Sequence, residues 1–584
     1  MAKKKLSSDQ RKKVLKTLMS YISAYKASLA ISIVSALLIV FFTLVFPMLT
    51  GNAVDYIIGR NYAAFKKEVI VLLSVAILWA LIAFVQNKAN NRLTYSIVKD
   101  IRKDAFANLQ RVKLSYQDGK LKGDIASRII TDSEQIADGL LMGFTQLLSG
   151  ILTIFGTLGF LFYINWIVAL VVVLVTPVSL FTASFIAGRT FNLFSKQNKA
   201  RGEMTGYIDE MISSSNIVSA FGQEENVKKS FDTLNDKWAG FALFATFYSS
   251  LTNPVTRFVN SLVYAGVALS GGLSALMGRM TIGALSATLS YASQYTKPFN
   301  EISGVMTELQ NALSSAERVF SLIEEKDIEE DRDGAVSIDA PKGDIKAENL
   351  SFSYKKDVPL IENLNIDIKS GMKVAIVGPT GCGKTTLINL LMRFYDVDKG
   401  RITVDGRDVR DITFSSLRDA YGMVLQDTWI KTGTVRENIA YANPNASDED
   451  IREAARLCHI DSLIDTLPHG YDEIISEDTD SISHGQKQLI SIARVMLSDP
   501  HMLILDEATS SIDTRTEIQI QKAFNILMEG RTAFIVAHRL STIRNADLIL
   551  VMKDGNIIEQ GSHEELISKK GFYYELYNSQ FVKA

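Results

Sequence analysis

This sequence of 584 residues contains few cysteines and prolines, with two of the first and ten of the second. Its formal net charge is only −2. Two cysteines cannot form a disulfide framework, so a disulfide-stabilised secreted scaffold is excluded. With ten prolines and 36 glycines, the chain is also unlike low-complexity or disordered proteins. The balanced charge gives no reason to expect nucleic acid as a partner. The composition therefore indicates an ordered protein.

Long stretches without charge occupy the first half of the chain. No charged residue occurs from Ala27 to Val54, from Val69 to Asn87 or from Gly139 to Gly188. A helix needs about 20 apolar residues to cross a bilayer, because lipid offers no partner for backbone hydrogen bonds. The third stretch is long enough for two helices. We therefore predict six transmembrane helices, at about residues 29–49, 69–86, 141–164, 167–187, 258–277 and 282–305.

Basic residues predict how these helices are oriented. Eight lysines and arginines precede the first span and ten lie in the 87–138 loop, whereas the turn at 279–281 contains only Arg279. The positive-inside rule places the N-terminus, the long loops and the C-terminal half in the cytoplasm. The 87–138 and 189–250 loops are longer than a hairpin requires, so we expect the helices to continue beyond the bilayer. The sequence predicts a multi-pass protein of a bacterial-type cytoplasmic membrane.

The second half of the chain has a different pattern. Residues 324–344 begin with a dense run of charge, which predicts a linker. From 345 to 584, short apolar strands alternate with helical segments, as is typical of α/β domains. Residues 1–323 are therefore predicted to form an all-α membrane domain and residues 345–584 a separate α/β domain.

A strand, a glycine-rich loop and a helix follow one another near residue 380. The apolar strand 374–377 runs into the loop, and an apolar-periodic helix continues to about residue 394. This is the context of a P-loop, whose backbone N–H groups and helix N-terminus bind phosphate. The predicted nucleotide-binding residues are Gly378, Pro379, Thr380, Gly381, Cys382, Gly383, Lys384, Thr385 and Thr386. Lys384 is expected to contact the β- and γ-phosphates, and Thr385 to bind Mg²⁺.

Two acidic residues end another apolar strand. Residues 502–505 are apolar and are followed by Asp506 and Glu507, and ligands bind at the carboxyl ends of such strands. Asp506 is suited to Mg²⁺, and Glu507 to orienting or deprotonating the water that attacks ATP. Together with Lys384, this pair predicts ATP hydrolysis. The predicted fold class is a multi-domain protein, in which a six-helix transmembrane domain with long cytoplasmic helix extensions precedes an α/β P-loop ATPase domain.

These motifs identify a family resemblance over essentially the whole chain. The sequence resembles an ATP-binding cassette (ABC) exporter half-transporter of the multidrug or lipid type. The resemblance implies an adenine-stacking role for Tyr354, a Mg²⁺ contact for Gln426 and a γ-phosphate contact for His538. It also implies that Ser483, Gly485 and Gln486 belong to the signature that completes the partner's ATP site. Glu507, His538, Gln426 and Lys384 are then the expected catalytic residues, and Thr385, Gln426 and Asp506 the expected Mg²⁺ ligands.

The signature departs from the family pattern at its first glycine, besides having isoleucine in place of the usual leucine at residue 482. Residues 482–486 are Ile-Ser-His-Gly-Gln, with His484 where the family usually has its first glycine. A position that needs a positive φ or a close approach to phosphate tolerates glycine far better than histidine. One interpretation is a neutral variant. The interpretation that we favour is a heterodimer, in which this chain supplies Glu507 to the competent site and the variant signature to a degenerate one.

The resemblance also predicts how ATP hydrolysis is used. The expected function is ATP-driven export of amphiphilic, drug-like molecules or lipids by a dimer, and the expected cofactors are ATP and Mg²⁺. The alternatives are an ATP-gated channel or channel regulator, and a lipid flippase with a narrow substrate range. The segments at 116–132 and 210–224 resemble coupling segments, expected to dock near Gln426. Polar residues near the last two spans are equally compatible with substrate contact and with helix packing: Asn253, Arg257, Asn260, Gln294, Tyr295, Lys297 and Glu301.

Cys382 occupies an unusual position for a thiol, inside the P-loop. If its thiol is accessible, a bulky thiol reagent inhibits hydrolysis and ATP protects. If it is buried, it does not react. The sequence leaves both possibilities open.

Overall fold

The computed structural model describes residues 7–120, 122–325, 329–355, 358–425, 428–477, 482–506, 512–536 and 540–580. The chain forms two compact units. The first comprises Met1–Gln110 and Lys122–Glu325, and the second comprises Arg111–Leu121 and Lys326–Ala584. The first unit is therefore interrupted in sequence by a short segment that groups with the second.

The first unit is helical. Among the described residues up to 325, the helices are α1 (Ser8–Ser23), α2 (Lys26–Ile58), α3 (Tyr62–Leu109), α4 (Leu114–Asp118), α5 (Lys122–Ser127), α6 (Ser133–Met142), α7 (Leu148–Ile164), α8 (Trp166–Ser213), α9 (Ser215–Ala220), α10 (Glu224–Leu276) and α11 (Ile282–Ile323). Of these, α4 lies in the second unit. Two π-helical turns, Arg128–Asp132 and Gly143–Leu147, join α5, α6 and α7.

Several helices are far longer than a bilayer crossing. Helices α3 and α8 have 48 residues each and α10 has 53, and at 1.5 Å per residue each is about 70–80 Å long. Four helical segments within the described residues are long and apolar enough to span a membrane: Lys26–Ile58, Tyr62–Leu109, Lys122–Ile164 and Arg257–Leu276. They contain four of the six expected spans, and those at 167–187 and 282–305 stay predictions. The expected helical domain with long extensions is confirmed.

Helices α2 and α11 meet at their backbones. A Cβ at Gly283 would lie 2.0 Å from the carbonyl oxygen of Gly51, so only glycine permits this approach. The backbone N–H of Gly283 donates to Asp55 Oδ1 at 2.7 Å. Nearby, the buried Tyr291 hydroxyl donates to the carbonyl oxygen of Leu44 at 2.5 Å. These contacts fix the α2–α11 crossing, which helps to hold the first unit together.

The second unit contains the strands. They are β1 (Ile345–Phe352), β2 (Ile361–Ile368), β3 (Lys373–Val377), β4 (Lys399–Val404), β5 (Arg407–Asp408), β6 (Tyr421–Val424), β7 (Gly433–Thr434), β8 (Ile474–Ile475), β9 (Met502–Asp506), β10 (Thr532–Val536), β11 (Leu548–Lys553) and β12 (Asn556–Gly561). Its remaining helices are α12 (Lys384–Leu391), α13 (Phe414–Asp419), α14 (Val435–Ile439), α15 (Asp448–Leu457), α16 (Asp461–Ile464), α17 (His484–Ser498), α18 (Thr514–Met528), α19 (Leu540–Arg544), α20 (His563–Lys569) and α21 (Phe572–Gln580).

Two main sheets organise this unit. The larger has the strand order β12-β11-β3-β10-β9-β6, and the smaller has the order β2-β1-β4-β5. In the larger sheet, β11, β3, β10, β9 and β6 are parallel, whereas β12 runs antiparallel to β11. The parallel strands are almost wholly buried, as expected of a sheet covered on both faces. Strands β3 and β9 therefore end at the same edge, where the P-loop and Asp506 lie. The predicted α/β domain is confirmed.

Candidate functional site

The P-loop follows β3 and has a backbone that requires glycine. Gly381 has φ +81° and Gly383, which precedes α12, has φ +102°. A Cβ at Gly378 would lie 2.2 Å from the carbonyl oxygen of Met552 and 2.7 Å from Cys382 Sγ. The loop is thus wrapped tightly at the N-terminus of α12, where backbone N–H groups can bind phosphate.

Lys384 and the two threonines after it have distinct environments. Lys384 Nζ donates to the carbonyl oxygens of Gly378 at 2.8 Å and Pro379 at 3.0 Å, so the ammonium group lies over the loop. Thr385 is exposed, which leaves its hydroxyl accessible to a ligand. Thr386 is buried, and its Oγ1 lies 3.2 Å from the Tyr354 hydroxyl. Of the two threonines, the structure favours Thr385 for metal binding.

Tyr354 stands beside the P-loop within an aromatic cluster. Its ring centroid lies 5.0 Å from that of Phe352 and 5.1 Å from that of Tyr395, in edge-to-face arrangements. The residue is 51% exposed, so part of the side chain remains available to a ligand. The predicted adenine-stacking residue is therefore close to the P-loop, while its role stays a prediction. No motif marks Tyr395 in the sequence, where it is the second residue of an aromatic pair that follows α12.

The signature segment starts α17. Ser483 caps the helix, since its Oγ accepts from Gln486 N at 3.4 Å while Gln486 Oε1 accepts from Ser483 N at 2.8 Å. A Cβ at Gly485 would lie 2.6 Å from Thr516 Cγ2, so this glycine is required by packing. His484 is exposed and lies in the first helical turn, outside the set of residues with positive φ. The capped helix gives His484 an ordinary helical backbone, so of the two reasons for a glycine here only the close approach to phosphate stays a prediction.

Three expected site residues lie outside the described residues: Glu507, His538 and Gln426. Asp506 is described as the last residue of β9, where it pairs in register with Val536 of β10, and Val536 in turn pairs with Ile376 of β3. Asp506 is thus two strands from the strand that leads into the P-loop. No cluster of three or more metal-binding His, Cys, Asp or Glu side chains occurs among the described residues.

Both cysteines are buried. Cys382 is 3% exposed, and its burial raises the pKa of the thiol against the opposing effect of the Lys384 ammonium. Cys458 is fully buried in the main core of the second unit, and burial raises its pKa to about 12. A thiol that is both inaccessible and protonated is a poor nucleophile. Of the two possibilities for Cys382, the structure favours the unreactive one.

We expect both cysteines to resist bulky maleimides in the folded transporter at pH 7.5, because the reacting species is an accessible thiolate. Intact-mass spectrometry after labelling measures this, with a denatured sample as the control in which both thiols react. ATPase activity should be retained, with or without ATP during labelling. Rapid modification of Cys382 in the folded protein, with loss of hydrolysis, would show that its thiol is accessible.

The first unit contains a cavity of about 470 Å³ between α10 and α11. Its lining residues are Arg257, Asn260, Ser261, Tyr264, Ala292, Ser293, Thr296 and Lys297. Two of these side chains are basic and none is acidic, within the part of the chain that the structure describes. Asn260 Oδ1 is buried and has no hydrogen-bond partner among the described residues. The cavity therefore combines positive charge with unused hydrogen-bonding capacity.

The two units together define a class of protein. A P-loop at the carboxyl edge of a parallel sheet, with an acidic residue at the same edge two strands away, is the site of a nucleotide-hydrolysing domain. It follows a unit whose helices are long and apolar enough to cross a membrane. The chain is thus a membrane protein with its own ATPase domain.

Comparison with known proteins identifies the family. The model of the ABC transporter transmembrane region matches residues 29–299, and the ABC transporter model matches residues 361–510. A fatty acid ABC transporter ATP-binding/permease protein of Mycobacterium bovis is 41% identical over 89% of this chain and 82% of that protein. An ATP-dependent lipid A-core flippase of Syntrophus aciditrophicus is 34% identical over 99% of this chain and 96% of that protein. The chain belongs to the ABC transporters.

A solved structure extends this likeness to the fold. The structure of a bacterial Atm1-family ABC exporter with ATP bound superposes with a TM-score of 0.80 and 26% identity, covering 96% of this chain and 99% of that one. The expected exporter half-transporter architecture is confirmed. The protein is an integral, multi-pass protein of the cytoplasmic membrane that couples ATP hydrolysis in the cytoplasm to transport, and it acts as a dimer.

Proposed function

We propose that this transporter exports an amphiphile with an anionic head group. The cavity between α10 and α11 carries the proposal, because it places Arg257 and Lys297 on facing helices with no acid in its described lining. An arginine within a membrane segment is costly unless it faces water or an anion. Arg257 therefore gives the cavity positive charge.

The other residues that line the cavity are suited to the uncharged polar and apolar parts of such an amphiphile. Asn260 can present its amide NH₂ or its oxygen to a polar group, and Ser261 and Ser293 add hydroxyls. Tyr264 and Ala292 supply apolar surface, against which an acyl or aromatic portion can pack. The chemistry of the cavity thus favours lipids and acidic drug-like molecules over amphiphilic cations. The relative from Mycobacterium bovis is named for fatty acids, which combine a carboxylate with an acyl chain.

Charge removal at Arg257 tests the proposed substrate class. We expect Arg257→Gln to raise the oleate concentration that gives half-maximal ATPase stimulation about tenfold, the equivalent of ~1.4 kcal/mol. Stimulation by oleyl alcohol should stay unchanged, because that amphiphile has no anionic group. ATPase assays on the transporter in lipid nanodiscs measure both responses.

Arg279→Gln is the matched control, because Arg279 is an exposed arginine between α10 and α11 that does not line the cavity. Its response to oleate should equal that of the unmodified protein. Equal stimulation by oleate and oleyl alcohol, both unaffected by Arg257→Gln, would contradict an anion-selective cavity.

We also propose that the ATP site uses Mg²⁺. Thr385 and Asp506 are its candidate ligands in the described chain, and Gln426 is a third candidate from the family resemblance. These side chains would hold the ion, which would supply positive charge to the phosphates during phosphoryl transfer. Lys384 holds the same phosphates, Glu507 orients or deprotonates the attacking water, and His538 donates to the γ-phosphate. Tyr354 carries the adenine, and Ser483, Gly485 and Gln486 complete the site of the partner subunit.

For the partner subunit, we propose a different half-transporter rather than a second copy. The support is His484, an exposed imidazole at the N-terminus of α17, where the family places glycine against the partner's nucleotide. Native mass spectrometry of the complex, gently extracted from its own membranes, distinguishes the two. A one-to-one complex with another half-transporter is the expected result, and two identical copies would make His484 a tolerated variant.

A further inference from the structure

Two consecutive residues of the ATPase domain, Tyr395 and Asp396, contact the segment Arg111–Leu121. This segment groups with the second unit although it lies more than 200 residues earlier in the sequence. The Tyr395 hydroxyl donates to the Asp118 carboxylate at the end of α4. Beside it, Lys113 Nζ lies 3.8 Å from Asp396 Oδ2. Helix α4 is thus held by a hydrogen bond at one end and an ion pair at the other.

Tyr395 connects this attachment to the nucleotide site. Its ring centroid lies 5.1 Å from that of Tyr354, with an interplanar angle of 87°. It also lies 5.6 Å from that of Phe352, so the three rings form one cluster. Edge-to-face packing of this kind has a defined geometry. A shift of the Tyr395 ring therefore has to be accommodated by Tyr354.

Tyr354 is restrained on two sides. Its hydroxyl lies 3.2 Å from Thr386 Oγ1, which belongs to the helix after the P-loop. Its ring packs against Tyr395. The half-exposed remainder of the side chain is free to contact a base. The position of this platform relative to the phosphates thus depends on Thr386 at one end and on Tyr395 at the other.

The hydrogen bond from Tyr395 to Asp118 persists at physiological pH. Burial, and then the neighbouring Asp118 carboxylate, raise the pKa of the Tyr395 phenol above its ordinary value. The phenol therefore stays protonated near neutrality and remains a donor. A phenol that donates to a carboxylate makes a charge-assisted hydrogen bond, which is stronger than a neutral one.

We propose that Asp118 and Tyr395 are positioning residues for Tyr354, so that segment Arg111–Leu121 tunes affinity for the nucleobase separately from affinity for the triphosphate. This inference rests on the proposed adenine-stacking role of Tyr354. It goes beyond that role, because it makes the affinity for the base depend on α4, which lies outside residues 345–584 of the ATPase domain.

Two substitutions remove the hydrogen bond between Tyr395 and Asp118 and change little else. Both are tested in the full-length transporter in nanodiscs. Tyr395→Phe removes only the hydroxyl, and Asp118→Ala removes its acceptor. Each is expected to raise the KM for ATP about fivefold, the size of effect that loss of one hydrogen bond produces. The inhibition constant of inorganic tripolyphosphate, which has no base, should be unchanged, and kcat at saturating ATP should stay within about twofold.

Three further variants make the result specific. Asp118→Asn keeps a hydrogen-bond acceptor and should restore most of the ATP affinity. The double variant Tyr395→Phe/Asp118→Ala should be no worse than either single variant, because both remove the same bond. Lys113→Gln removes the adjacent ion pair and is the matched control, with an unchanged KM. Thermal unfolding of every variant confirms that each is folded.

Two outcomes would overturn the inference. Equal changes for ATP and tripolyphosphate would mean that Tyr395 supports the whole site and not the base platform. An unchanged KM in both Tyr395→Phe and Asp118→Ala would mean that the hydrogen bond does not position Tyr354. Tyr354→Ala separates this inference from its premise: if that variant weakens ATP binding while Tyr395→Phe does not, only the positioning role falls. If Tyr354→Ala has no effect, the adenine-stacking role falls as well.

Discussion

Replacing Glu507 by glutamine is expected to lower steady-state ATP hydrolysis at least about 100-fold while ATP binding is retained. The change keeps the size and hydrogen-bonding shape of the side chain and removes its ability to accept a proton. Binding should persist, because the phosphates are held by Lys384 and the P-loop backbone, which the substitution does not touch. Phosphate release and the binding of a fluorescent ATP analogue, measured on the same purified transporter, separate the two effects.

Glu529→Gln is the control for this substitution. Glu529 is an exposed glutamate of the same domain at the C-terminus of α18, so the same loss of charge occurs far from the P-loop sequence. Its hydrolysis rate should equal that of the unmodified protein. Retention of most activity in Glu507→Gln would exclude Glu507 as the group that activates water. Joint loss of binding and hydrolysis would indicate a structural defect instead.

Local sequence patterns were sufficient to predict the strand, loop and helix that form the P-loop. The strand before Gly378 and the helix after Lys384 are contiguous in sequence, so spacing alone indicates a P-loop. Asp506 was predicted in the same way, because an apolar strand that ends in acid is a local pattern. The charge-free stretches likewise predicted the membrane unit, since bilayer thickness sets the length of a spanning helix.

Contacts between distant parts of the chain were not predictable in this way. The family resemblance indicated that the segment at 116–132 docks on the ATPase domain, but nothing in the sequence indicated that Arg111–Leu121 contacts Tyr395 and Asp396. Tyr395 had no recognisable motif, and its position beside Tyr354 follows only from the fold. In each case, the missing information is which surfaces meet.

Gly555 is a further position that only the structure identifies. It lies in the turn between β11 and β12 with φ +81°, and its N–H donates to the carbonyl oxygen of Cys382 in the P-loop at 3.0 Å. A Cβ at this position would lie 1.5 Å from the carbonyl oxygen of Leu360. A side chain here would therefore have to displace backbone on one side and disturb the P-loop on the other.

We expect Gly555→Ala to destabilise the ATPase domain by about 2–5 kcal/mol, the sum of a left-handed backbone penalty and an overpacking penalty. For a domain of this size, the apparent Tm should fall by roughly 5–15 °C. The Kd for ATP should also rise, because Gly555 supports Cys382 through the hydrogen bond from its N–H. Thermal unfolding of the full-length protein and ATP titration measure the two effects.

Gly530→Ala separates the two causes of this destabilisation. Gly530 has a similar backbone, with φ +73°, but a Cβ there would meet no atom within 4 Å. It should therefore incur only the conformational penalty, about 1–2 kcal/mol, with unchanged ATP affinity. If Gly555→Ala lowers the free energy of unfolding more than Gly530→Ala does, the difference is due to the contact with Leu360. Equal losses of unfolding free energy would mean that the turn moves away from Leu360 at little cost. An unchanged ATP affinity in both variants would mean that the turn does not support the P-loop.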